Sequence, residues 1–121
     1  METLVLEKKG HFCWIKLNRP DAMNALNTKM ALELDQTVQE AVLDRDIWVV
    51  GFTTTSEKIF GVGADLKERK EMSVEDLARQ RVLFVRAMNS VRAIPQPVIA
   101  GVKGFALGGG LELALAAGCN A

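Results

Sequence analysis

Gly104-Phe105-Ala106-Leu107-Gly108-Gly109-Gly110-Leu111-Glu112-Leu113-Ala114-Leu115-Ala116 is the stretch on which the reading of this 121-residue chain turns. Ahead of it, Pro97-Val98-Ile99-Ala100-Gly101-Val102 is a short β-branched apolar run, the pattern of a buried strand. Residues 111–117 are strong helix formers. Gly108, Gly109 and Gly110 lie between the two and permit a sharp bend with close approach of another group. A strand, a glycine bend and a helix start bring free amide N–H groups and the positive end of a helix dipole to one place. Glu112 falls in the first helical turn beside them. Such a place suits an oxyanion with a carboxylate next to it. A tight connection followed by a dipole-matching Glu looks the same, and both readings stay open at this point. A phosphate loop does not fit, because neither the P-loop Lys-Ser/Thr nor a G-x-G-x-x-G opening a helix is present.

Ile59-Phe60-Gly61-Val62-Gly63-Ala64-Asp65-Leu66-Lys67-Glu68-Arg69 repeats the theme earlier in the chain. It follows a polar loop, Thr54-Thr55-Ser56-Glu57-Lys58, and runs through two glycines into a charged, helix-like segment. Ligands of α/β sheets bind beyond the carboxyl ends of strands. Two bends after two different strands could therefore aim two amides at one oxygen, or be unrelated turns. The alternating signs of Lys67-Glu68-Arg69-Lys70-Glu71 indicate a solvated face.

The rest of the chain supplies the frame. Leu4-Val5-Leu6-Glu7-Lys8, a Lys9-Gly10 turn and residues 11–17 predict a β-hairpin, with Cys13, Ile15 and Leu17 on one face. The sole histidine, His11, sits at that turn and is read as a solvated residue, without partners for a metal site. Asn18-Arg19-Pro20-Asp21 ends the strand with turn chemistry. Asn27 is a good N-cap for a helix over 28–43 whose apolar face is Met30, Leu34, Val38, Ala41 and Val42. Ile47-Trp48-Val49-Val50-Gly51-Phe52-Thr53 predicts a buried strand, parallel because a helix crosses over to it. Ser73-Val74-Glu75-Asp76 resembles a capping box and opens a helix over 73–93 carrying Leu77, Val82, Val85, Met88 and Val91. Pro95 and Pro97 end that helix and restart the chain as a strand. Met23, Met30, Met72 and Met88 are read as helix packing. The order is β-β-α-β, then α-β-α, which argues for an α/β fold.

Composition limits the alternatives. The chain is long enough for one domain, 1–121, with a modest core. Fifteen basic and fifteen acidic residues give a formal net charge of +0, which argues against a nucleic-acid partner or a membrane surface. Cys13 and Cys119 form no disulfide framework, and a reducing, cytoplasmic setting fits them best. The opening Met1-Glu2-Thr3 lacks a signal-peptide pattern, and no apolar run is long enough to span a bilayer.

Leu17-Asn18-Arg19-Pro20 followed by Asn24-Ala25-Leu26 resembles the opening motif of the crotonase (enoyl-CoA hydratase/isomerase) superfamily. Gly63-Ala64-Asp65-Leu66-Lys67-Glu68 resembles that family's first oxyanion-hole segment. Ile94-Pro95-Gln96-Pro97-Val98-Ile99-Ala100, with Gly104 and the residues after it through Ala114, resembles the second. Three motifs in this order are a specific signature, and together they match the N-terminal half of a family member. The resemblance implies a crotonase-like spiral of ββα units, truncated before the C-terminal helices that build a trimer or hexamer in full-length relatives. It implies a lyase of fatty acid metabolism that adds water across the double bond of a 2-enoyl-CoA. Enoyl-CoA isomerase chemistry is the neighbouring alternative, and a non-catalytic acyl-CoA-binding or subunit-interaction protein is the other.

By the same resemblance, the backbone N–H groups of Ala64 and Gly109 form the oxyanion hole and Glu112 is the first catalytic glutamate. Ala64, Asp65, Leu66, Lys67 and Gly109 line the substrate, and backbone near Ala22, Met23 and Val62 holds the adenine end of CoA. Coenzyme A is then part of the substrate, and neither a separate cofactor nor a metal is expected. A second glutamate, which exchanges the α-proton in relatives, has no counterpart in the motifs matched here. Asp21 stands where many members carry a basic residue, and Gly61-Val62 replaces the more usual Cys or Ser followed by Ala. The closest match is to hydratases acting on short or branched enoyl-CoA, including methylglutaconyl-type substrates.

Overall fold

The computed structural model describes residues 1–102, 104–106 and 109–118; for Phe105, Gly109, Leu111, Glu112, Ala117 and Gly118 the description is of the backbone. Strands β1 (Leu4–Lys9) and β2 (Phe12–Leu17) form the expected hairpin, closed by Gly10 in the left-handed region at φ 59°. The next strand, β3 (Val49–Thr54), runs parallel to β2, pairing Cys13 with Val50 and Ile15 with Phe52. β4 (Ile59–Gly61) leaves this sheet, while β5 (Val98–Ala100) returns to it beside β3, again parallel. The sheet order is β1-β2-β3-β5. A second, two-stranded sheet pairs β4 with β6 (Phe105–Ala106) in parallel.

The helices form where their caps and apolar spacing allow. In α1 (Thr28–Leu43) the Asn27 side chain accepts from the Met30 N–H at 2.8 Å, which satisfies one of the unpaired donors of the first turn. The short α2 (Leu66–Arg69) is capped by Asp65. Ser73 and Asp76 close the predicted capping box at the head of α3 (Val74–Arg92). The last helix, α4 (Gly109–Gly118), begins inside the glycine run. Cys13, Ile15 and Leu17 of β2, Val50 and Phe52 of β3, Met30, Leu34 and Val38 of α1, and Met88 and Val91 of α3 make one buried cluster. Burial is the main reason that the Cys13 thiol is pushed above its ordinary value.

Four expectations change. The strand directly before the glycine bend is β6, not the 97–102 run, because the chain first crosses from the large sheet to the small one. The face that α3 buries is Gln80, Ala87, Met88 and Val91, whereas Leu77, Val82 and Val85 are exposed. Gln80 stays inside because Glu68 and Thr28 satisfy its amide nitrogen and Arg69 its oxygen. Glu68, read as part of a solvated face, thus helps to hold α2, α1 and α3 together, also accepting from the Thr28 N–H at 3.0 Å. Met23 packs into no helix; it is 52% exposed. His11 is exposed, as read, with its ring stacked on Trp48 at 3.6 Å.

Candidate functional site

The site is assembled from the loop after β2 and the bend after β4. Pro20–Ala22 form a single 3-10 turn, in keeping with proline at a helix start, and Met23 and Asn24 follow in the left-handed region, both at φ 54°. Asparagine tolerates that region better than most residues, and here both ends of its side-chain amide are hydrogen-bonded. The Asn24 Oδ1 accepts from the Arg19 N–H at 2.7 Å. Its buried Nδ2 donates to Thr54 Oγ1 at 2.6 Å and to the carbonyls of Ile59 and Phe60 at 3.2 and 3.1 Å. One side chain therefore ties this loop to the ends of β3 and β4.

A single parallel bridge then joins Leu26 to Ala64. The Leu26 N–H donates to the Gly63 carbonyl at 2.6 Å, and the Asp65 N–H donates to the Leu26 carbonyl at 2.9 Å. Backbone groups alternate in direction along an extended segment, so the Ala64 N–H faces away from Leu26. Among the described residues it has no hydrogen-bond acceptor. Gly63, at φ 115°, supplies the turn before it that a residue with a side chain would enter only under strain.

Ala64, which carries this donor, lines a cavity of about 400 Å³. Ala22 and Met23 line it together with Val62, Ala64, Asp65, Leu66 and Lys67. Seven residues singled out from sequence thus share one space. Arg19, Asp21 and Ala25 complete the wall, so that two basic residues, Arg19 and Lys67, share it with two acidic ones, Asp21 and Asp65. Arg19 is pinned: it donates to the Ala25 carbonyl and pairs with Asp65 at 3.0 Å. Asp65 also accepts from the N–H groups of Lys67 and Glu68, at 3.0 and 3.3 Å. Burial alone would raise the Asp65 carboxyl. The Arg19 guanidinium and the two backbone donors outweigh it and hold the group below the ordinary aspartate value.

The second bend comes to the first. A Cβ on Gly110 would fall 2.4 Å from the Gly61 carbonyl oxygen, so the first turn of α4 lies backbone to backbone on β4. Gly109, which opens α4, neighbours that contact. Glu112 is in the same first turn, and its side chain lies outside the described residues, as does Cys119. Sequence reasoning placed Arg19 and Asn24 in the opening family motif and the turn after β2 but gave neither a part in the site; the Asn24 position at positive φ emerges only in the structure. Among the described residues no three His, Cys, Asp or Glu side chains come together as metal ligands, and no helix is long and apolar enough to cross a membrane.

Comparison with known proteins adds the family. A family model described as enoyl-CoA hydratase/isomerase matches residues 7–120. The chain is 46% identical over 109 residues to YngF of Bacillus subtilis, which carries that family name, covering 90% of this chain and 42% of the relative. It is 37% identical over 115 residues to the short-chain-enoyl-CoA hydratase of Clostridium acetobutylicum, covering 95% of this chain and 44% of that one. Its fold superposes on the crystal structure of an enoyl-CoA hydratase from Bacillus anthracis with a TM-score of 0.91 at 36% identity, over 95% of this chain and 45% of the other. The α/β, crotonase-like fold expected from sequence is the fold observed, and the chain spans less than half the length of these relatives.

Proposed function

The chain belongs to the enoyl-CoA hydratase/isomerase family, and on that premise we propose that it carries the thioester-binding and oxyanion-stabilising part of an enoyl-CoA hydratase. The observation that supports this most is the Ala64 N–H, turned away from its bridge partner and unpaired among the described residues, in a residue that lines the cavity. In this reading the thioester oxygen of a 2-enoyl-CoA accepts from Ala64 and from Gly109. Water adds at the β-carbon, negative charge develops on that oxygen, and each preorganised donor contributes roughly 3–4 kcal/mol to the barrier reduction. Glu112 takes the proton from the attacking water, and the enolate's α-carbon then takes up a proton, which discharges the oxygen and completes the addition of water. The chain from Ala22 to Met23 and Val62 holds the adenine end of CoA, while Asp65, Leu66 and Lys67 border the thioester side. Coenzyme A enters as part of the substrate, and the working form is an oligomer.

Hydration of crotonyl-CoA, followed by loss of the absorbance of the conjugated thioester, tests the assignment. The expected result is turnover by the parent chain and its loss in Glu112→Gln, with crotonyl-CoA still bound. Turnover by the variant at the parental rate contradicts the role of Glu112. Binding without turnover in either form favours the non-catalytic acyl-CoA-binding reading.

A further inference from the structure

Helix α3 carries on its outer side a row of exposed residues, Glu75, Ala78, Val82, Val85, Asn89 and Arg92. They follow one another at alternating intervals of three and four positions, the spacing of a seam along which two helices pack. The face that α3 turns into the chain is a different one, Gln80, Ala87, Met88 and Val91. Val82 and Val85, at the middle of the row, are 57% and 53% exposed. A helix face meant for water carries polar groups at such a place.

The surface is hollowed around this row. One hollow, about 430 Å³, is lined by Arg69 of α2 and by Leu77, Phe84 and Met88 of α3. Another, about 460 Å³, is lined by Gln39 of α1 and by Val82, Arg86 and Ser90 of α3. Val85 lines both, so it stands as a ridge between a groove toward α2 and a groove toward α1. Packed helices set the ridges of one into the grooves of the other.

Taken from its two ends inward, the row pairs Glu75 with Arg92, Ala78 with Asn89 and Val82 with Val85. A second copy of α3 laid antiparallel along it sets acid against base at both ends and valine against valine at the centre. Parallel copies would instead set Glu75 against Glu75 and Arg92 against Arg92. The antiparallel arrangement also opposes the two helix dipoles. Arg92 is held on this face, its Nη1 donating to Asn89 Oδ1 at 3.0 Å. Arg81 and Arg86 flank the row, and in this register each lies about 7.5 Å along the axis from its own copy. That leaves their stems room to carry the charge out to water.

We propose that this face of α3 is a two-fold interface with a second copy of the chain. Val82 packs on the partner subunit's Val85 and Glu75 pairs with the partner subunit's Arg92, each contact occurring twice. The row is about 26 Å long, which makes a small interface and a concentration-dependent dimer. None of its residues lines the cavity at Ala64, so the interface stands or falls apart from the thioester reading.

Sedimentation equilibrium of the 121-residue chain over a range of concentrations tests this. The apparent mass of the parent is expected to rise toward twice that of one chain. Glu75→Arg and Arg92→Glu are each expected to weaken association roughly tenfold, because both ion pairs become repulsions. The double variant Glu75→Arg/Arg92→Glu is expected to restore it, and Val85→Asp to abolish it. Circular dichroism of the variants should match the parent, since the substituted residues are exposed. A parent that stays monomeric at every concentration overturns the proposal. So does an association that the single reversals and Val85→Asp leave unchanged, which would place the contact elsewhere on the chain. A double reversal that fails to restore the dimer overturns the antiparallel pairing.

Discussion

Arg19 and Asp65 form an ion pair at 3.0 Å in which the two side chains are only 20% and 14% exposed. The pair joins the loop after β2 to the cap of α2, and both residues border the same cavity. Because the Asp65 carboxyl is held below its ordinary value in the folded chain, it contributes stability that is fully present above the unfolded aspartate value, about 4. That contribution is lost as pH falls through the folded value. Asp65→Asn is expected to cost about 1–3 kcal/mol at neutral pH. Urea unfolding of parent and variant at neutral pH and near pH 3 should show the gap between them narrowing in acid.

At Asn24, substitution by Asp supplies a carboxyl shifted the other way, with a gap that again narrows in acid. Its Nδ2 faces three acceptors, Thr54 Oγ1 and the carbonyls of Ile59 and Phe60. Asn24→Asp keeps the shape and places a carboxylate oxygen against those carbonyls. The new carboxyl is then raised above its unfolded value, so the variant's loss is largest at neutral pH, about 2–4 kcal/mol. Relative to the parent, that loss should shrink as pH falls and the group takes up a proton. Thermal unfolding of the two proteins across pH measures it.

Gly61 and Gly110 test the contact between the two bends. A Cβ on Gly110 meets the Gly61 carbonyl at 2.4 Å, and that contact is backbone on both sides. A Cβ on Gly61 meets the Gly110 Cα at 3.1 Å, which a shift of a few tenths of an ångström relieves. Gly110→Ala should therefore cost about 3 kcal/mol or more and Gly61→Ala about 1–2 kcal/mol. Equal losses in denaturant unfolding would contradict the packing of α4 on β4.

Met23 separates binding from stability. It is exposed and lines the cavity wall where the CoA moiety is proposed to lie. Met23→Glu should leave the unfolding midpoint within about 0.5 kcal/mol of the parent. It should weaken crotonyl-CoA binding several-fold, because the added charge repels the phosphates of CoA.

Much of this was readable from residues alone, for identifiable reasons. The hairpin, the Asn27 and Ser73 caps and the parallel β3 follow from local chemistry, and each has its expected place. The β4–β6 sheet was not readable, because strands of three and two residues carry no period and their partners lie far apart in sequence. The buried face of α3 was misread because Gln80, a polar residue, is inside on the strength of hydrogen bonds from other helices. Residues 62–67 could be picked out by the glycine bend and the family motif. That Ala22 and Met23 line one cavity with them depends on the left-handed turn and on Asn24, neither of which spacing reveals.

The central claim is that the unpaired Ala64 N–H polarises a thioester carbonyl. Isotope-edited infrared spectroscopy of crotonyl-CoA bound to the parent chain tests it without requiring turnover. A carbonyl stretch at lower frequency in the bound state than in water is the predicted result, since preorganised donors draw charge onto the oxygen. A bound thioester whose carbonyl stretch is unshifted, or shifted to higher frequency, would contradict it.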